Sequence, residues 1–167
     1  MIVMNSYVDT PEAEDYFLSR FNATAWTNAT IEQKMAALTE ATDIIDKLPL
    51  TGNKAIKDQE LRFPREGQVS LDTDPSSSTY GEYIPSVPQD VKKACCDIAL
   101  ALLEGIDPEE EFMQLSQITG RYANLAKQKN TILVEDHVAA GIPCVRAFRA
   151  LAKYIRSYQS VHLGRTS

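Results

Sequence analysis

Positive charge is scarce in this chain: 17 Lys and Arg stand against 23 Asp and Glu, a net charge of −6. That balance counts against a default nucleic-acid binder, because affinity for DNA comes mostly from Lys and Arg displacing counterions. Histidine is scarcer still, with only His137 and His162. Three cysteines, two of them adjacent at Cys95-Cys96 and the third at Cys144, fit neither a disulfide framework nor a zinc site. Seven Gly and eight Pro, beside 44% hydrophobic residues, exclude a collagen-like or wholly disordered chain. Long apolar runs are missing too. The longest, Ile98 to Leu103, falls far short of the roughly 20 residues that cross a bilayer. The opening Met1-Ile2-Val3-Met4-Asn5 has no basic or apolar region of a signal peptide, so a reduced, intracellular protein with no membrane partner is expected.

What is present reads as mostly α. Asp9-Thr10-Pro11-Glu12 supplies an N-cap, an early Pro and a first-turn acid. Ala13, Tyr16, Phe17 and Phe21 then recur at helical spacing. A loop from Asn22 to Asn28 carries the only tryptophan, Trp26, as a structural aromatic. Thr30-x-x-Gln33 is a capping box, and Met35, Leu38, Ala41, Ile45 and Leu48 mark a second helix ended by Pro49 and Gly52. Residues 53–89 form a long irregular loop, expected to pack at Leu61 and Phe63 and to be mobile around Ser76 to Ser78. A third helix from about Gln89 to Glu104, with Gly105 as its C-cap residue, is apolar nearly all round and so central. Segments Ile118 to Asn124 and Thr131 to His137 fit a short β-hairpin. A last helix runs from about Pro143 to Tyr158, and Ser160 to Ser167 have the look of a flexible arm. The predicted architecture is a small helical bundle, with a body over residues 1–142 and a basic C-terminal helix and arm over 143–167.

No catalytic constellation is legible: no Gly-rich phosphate loop, no His-Glu-x-x-His pair and no Gly-x-Ser-x-Gly elbow. Glu109-Glu110-Glu111 lacks the spaced ligands of a calcium loop and suits a solvated helix start. Asp43 and Asp46 could pair as carboxylates, but an exposed polar edge beside Ile44 and Ile45 explains them as well. Cys95-Cys96 reads as core filler. Catalytic, metal and cofactor residues are therefore expected to be absent.

Charge distribution is more informative. Residues 143–167 hold five of the 17 basic residues and none of the 23 acids, which leaves +5 at this end and −11 elsewhere. On an ideal helix Arg146, Arg149, Lys153 and Arg156 would span an arc of roughly 80° beside the apolar face. Such a stripe is either a solvated helix edge or a docking surface for an acidic partner or a phosphate backbone.

Taken in order, the motifs resemble a known family. They are Tyr7-Val8-Asp9 with Ala13 and Tyr16-Phe17, then Trp26, then Lys34-x-x-Ala37-Leu38-x-x-Ala41-Thr42-Asp43-x-Ile45-Asp46 and Gly52. Gln59-x-Leu61-x-Phe63-Pro64-Arg65, Ile84-Pro85 and an Ala-rich helix follow. This resembles the head–tail connector (adaptor) proteins of tailed bacteriophages, including members often labelled DnaT-like single-strand DNA-binding. The resemblance covers roughly residues 7–105, with Phe63 where the family usually has Trp and with a longer, more polar loop from Glu66 to Tyr83. It implies a structural virion protein at the head–tail interface, assembled in the host cytoplasm into a ring of twelve copies beneath the portal. Such a ring would extend the channel through which double-stranded DNA passes without specific binding, and would present a surface to the tail or stopper. On that reading Arg146, Arg149, Lys153 and Arg156 face the portal. Gln59, Leu61, Phe63, Pro64 and Arg65 are either a subunit interface or an internal strap, with Arg65 meeting an acid of the second helix. The alternative is a single-strand DNA-binding protein, for which Tyr154 and Tyr158 beside the basic stripe would be the platform.

Overall fold

The computed structural model describes residues 5–110, 113 and 136–156. They are mostly α, with six named helices and one two-stranded antiparallel sheet. The predicted hairpin at 118–137 lies outside the described residues, except for its last two positions, which are helical. The tail after residue 156 lies outside them as well.

Helix α1 (Thr10–Leu18) is capped by Asp9, whose carboxylate accepts from the Glu12 amide at 2.8 Å. It buries Ala13 and Phe17. Phe21 is not on its inner face: the helix closes at Ser19, the chain turns through Asn22 at φ 63°, and Phe21 is left 93% exposed. That turn delivers a one-turn helix, α2 (Thr24–Asn28), where the sequence suggested only loop. Its buried Trp26 stacks on Phe17 at 4.6 Å between centroids.

Helix α3 (Ile31–Lys47) starts at the expected capping box, with both reciprocal Thr30–Gln33 hydrogen bonds made. Its buried line, Ala37, Leu38, Ala41, Thr42 and Ile45, faces α4 (Gln89–Leu103). Every residue of α4 from Ala94 to Ala101 is buried, so this is the central helix, as its all-round apolar character implies. It ends in a Schellman motif. The Ile106 amide reaches back to Ala101 O, the Gly105 amide to Leu102 O, and Gly105 takes the left-handed φ of +85° that the motif needs.

Helices α5 (Asp136–Ala139) and α6 (Val145–Leu151) follow, and α6 packs on α4 through Ala147 and Leu151. The C-terminal helix is shorter than its periodicity predicts. After Leu151 a 3-10 turn, Ala152–Tyr154, leads into extended chain, and Ile155 forms an antiparallel bridge with Leu50. The Thr51 amide donates to Tyr154 O and the Arg156 amide to Pro49 O, both at 2.8 Å. Pairing with the segment beyond α3 thus replaces further helical turns.

The long middle segment also carries structure that its composition did not announce. Strands β1 (Val69–Leu71) and β2 (Tyr83–Pro85) pair antiparallel, Leu71 opposite Tyr83 and Val69 opposite Pro85. Their connection through the Asp/Ser-rich tract is laced by short polar contacts: Thr79 Oγ1 donates to Asp72 at 2.7 Å, and the Ser76 amide to Asp74 at 2.9 Å.

Candidate functional site

The motif Gln59 to Arg65 forms a strap laid across the end of α3. Its anchor is Tyr7, whose hydroxyl donates to Asp46 of α3 and accepts from the Phe63 amide at 3.1 Å. The Arg62 amide donates to the same Asp46 carboxylate at 3.1 Å. Burial pushes the Tyr7 hydroxyl well above its ordinary range, with the adjacent Asp46 carboxylate adding to it; burial also raises Asp46. Asp46 is therefore a structural anchor and not one half of a carboxylate pair. Phe63 is buried with its ring edge-on to Tyr7 at 5.7 Å and to Tyr154 at 5.3 Å. Gln59 ties the strap to itself, its amide donating to Leu61 O and Pro64 O at 2.9 Å each. Leu61 is half-buried against the core, and Pro64 follows a cis peptide bond.

Arg65 does not meet an acid of α3. It is 7% exposed, and its guanidinium donates to the carbonyls of Thr51 at 3.0 Å, Gly52, and Arg62 at 3.3 Å. The planar fork of Arg suits this use, because several fixed donors converge on carbonyls of a reversing chain. Phe63 and Arg65 are consumed inside the subunit, which leaves neither free for a partner.

A second polar cluster was not foreseen. Asp97, 5% exposed in the middle of α4, accepts from the Tyr16 hydroxyl at 3.0 Å and from Arg20 at 2.7 Å. Arg20 also donates to the Tyr16 hydroxyl at 2.6 Å. Burial raises the Asp97 carboxyl above its usual range despite the opposing charges of Arg20 and Arg146, and pushes Tyr16 up to about 12. The signal was there: Asp97 is the only acid in the apolar run of that helix, and a buried acid demands donors. Trp26 has no hydrogen-bond partner for its Nε1, although Lys34 lies over its ring at 5.3 Å and bonds Glu14 beside it. Burial likewise raises the cysteine thiols, Cys95 to about 11, so they stay protonated as core residues. Among the described residues no three His, Cys, Asp or Glu side chains converge on a metal position. An open groove of about 840 Å³ along the outer face of α3 is rimmed by Glu32, Glu40, Asp43, Asp107 and Glu109 and has no His, Cys or Ser in its wall.

The four basic positions at the C-terminal end are all exposed, but they do not form one helical stripe. Arg146 and Arg149 stand on α6, Arg146 close enough to Asp97 to act on it electrostatically. Lys153 lies in the 3-10 turn, bonded to Asp90 near the foot of the hairpin, and Arg156 lies on extended chain beside Pro49. Tyr154, between them, is half-buried, packed against Phe63 at 5.3 Å between centroids and with the Lys153 ammonium 5.0 Å from its ring centre. Tyr158 lies outside the described residues. Among the described residues the exposed aromatics are elsewhere: Phe21, Tyr80 and Tyr83. Phe21 follows Arg20, whose charge Asp97 already engages. Tyr80 and Tyr83 belong to the hairpin arm, residues 66–88, which carries four acids and no Lys or Arg.

A family model described as "Putative DnaT-like ssDNA binding protein" matches residues 3–141. The chain belongs to this family. The match takes in α1 to α5, the strap and the hairpin arm, and stops before α6 and the four basic positions. No curated protein and no solved structure gives a significant match.

Proposed function

We propose that the protein is a structural connector, the head–tail adaptor of a tailed phage. Copies of it would form a ring below the portal, through which double-stranded DNA passes and to which the tail attaches. The observation that carries this reading is the separation, among the described residues, of the exposed C-terminal cations from the exposed aromatics. A single-strand binder stacks bases on aromatic rings set within a basic groove. Here the exposed tyrosines ride on an arm of purely negative charge, and the ring that lies among the C-terminal cations, Tyr154, is half-buried against Phe63. An acidic body repels phosphates and suits a conduit in which DNA must slide. On this reading Arg146 and Arg149, the two cations held together on α6, lead the contact with an acidic portal face, with Lys153 and Arg156 at its margin.

The test is attachment to purified portal rings, followed by electron microscopy. Arg149→Glu combined with Arg146→Gln should abolish attachment while circular dichroism stays unchanged; normal attachment would sink the reading. Arg146 is changed to the neutral residue because a new acid beside Asp97 would unsettle the fold.

The second reading, single-strand DNA binding, is favoured by the family description and by the matched span. Titration with a single-stranded oligonucleotide at low and high salt separates the two. Tight binding that falls steeply with salt supports the second reading, and weak binding at both salts supports the first.

A further inference from the structure

The groove along α3 combines an apolar wall with an acidic rim. Met35 and Ile44, half-buried, and the exposed Ala36 supply the apolar surface, and Glu40, Asp43 and Glu109 stand exposed around it. Among the described residues these three carboxylates make no hydrogen bond and no ion pair, so their charge is available to an occupant. Lys47 is the one cation in the described wall, at the C-terminal end of the helix. Such a groove repels nucleic acid and anionic lipid, and it suits an apolar segment that carries a cation and no acid.

The same chain supplies one, and aims it. The Arg156 amide bonds Pro49, two residues past Lys47. Because 154–156 pair antiparallel with 49–51, the chain runs from Thr51 back towards the end of α3. Eleven residues follow, Ser157 to Ser167, with Tyr158, Val161 and Leu163 as apolar side chains, Arg165 as a cation and no acid. Extended, they reach about 36 Å, whereas α3 from Lys47 to Glu32 measures about 22 Å. Residues 1–4, which adjoin Asn5 in the wall, reach only about 13 Å and have no charged side chain.

The geometry points to residues 157–167 as the occupant: they run back along α3 of their own subunit from the Lys47 end, with Val161 and Leu163 against the apolar wall and Arg165 on the acidic rim. The groove is then an intrachain docking site. A tail seated there is withheld from other partners, and so are the carboxylates it covers. The inference stands apart from both functional readings.

A photo-crosslinking benzoylphenylalanine placed at Leu163 of the full chain, seven residues past Arg156, tests this by peptide mapping. Cross-links within one chain to residues between Met35 and Ile44 are expected, in a yield that tenfold dilution leaves unchanged. Glu40→Lys with Asp43→Lys alters two exposed positions and should leave circular dichroism as it is. It should lower the yield about threefold, the scale of partly exposed charge pairs. Adding Arg165→Glu to that variant should recover the yield. Several results would overturn the inference: no cross-link to α3, cross-links only between copies with a yield that falls on dilution, capture of residues 111–135 instead, or a yield that ignores both charge changes.

Discussion

Arg65 is held by backbone carbonyls and not by an acid. Removing its guanidinium takes a charged donor from the carbonyls of Thr51, Gly52 and Arg62 and leaves a gap where the buried Arg65 side chain lay. Arg65→Met should cost about 2 kcal/mol in urea unfolding, and Arg65→Lys should recover only part, since a point charge cannot reach all three oxygens. Asp97 predicts a pH effect. Its folded pKa is raised above the unfolded value of about 3.8, so in the window between them the folded state holds the extra proton. Stability from this carboxyl is therefore present at low pH and lost as pH rises through the raised folded value. Asp97→Asn should flatten the corresponding part of the stability–pH curve in urea melts from pH 3.5 to 7; an unchanged slope would show that the carboxyl titrates as in the unfolded chain. At this scale, sequence reading found Phe63 and Arg65 as important but misassigned the partner of Arg65. Asp46, the acid of α3 that meets the strap, was already taken by Tyr7, from 39 residues away.

Among the elements, those with local signals matched their expectations. The α3 capping box and the Gly105 terminus depend on neighbours within six residues, so the sequence displays them. Nothing lies near a Cβ built at Gly105, so Gly105→Ala meets only the left-handed backbone penalty. It should lower stability by about 1 kcal/mol, measured by thermal or urea unfolding. The elements that differed were decided from a distance. Helix α6 stops at Leu151 because residues 154–156 pair with 49–51, and Phe21 leaves α1 because the chain must turn to set Trp26 on Phe17. Thr51→Pro would remove the amide that binds Tyr154 O; it should loosen residues 152–156 in hydrogen exchange while leaving α3 and α4 protected.

At the level of the whole molecule, the net charge hides an acidic body with an acidic arm and a basic end. On the proposed ring reading, regions of opposite charge on one subunit would make association between copies sensitive to salt. Assembly followed by light scattering should weaken between about 0.05 and 0.5 M salt, as the screening length shrinks below the spacing of partly exposed charges. Salt-independent assembly would assign the contact to apolar packing alone.

The sequence alone determined the mostly α class, the central place of α4, the N-caps of α1 and α3, the Gly105 end of α4 and the partition of charge. Each follows from composition or from residues within a turn or two. Tertiary structure decided the rest: the Tyr7–Asp46 anchor, the carbonyls that hold Arg65, the donors gathered on Asp97, the hairpin, and the splitting of the basic stripe. Most of these join residues far apart in the chain, 39 positions for Tyr7 and Asp46 and 81 for Tyr16 and Asp97, and such contacts depend on which surfaces the packed helices leave within reach.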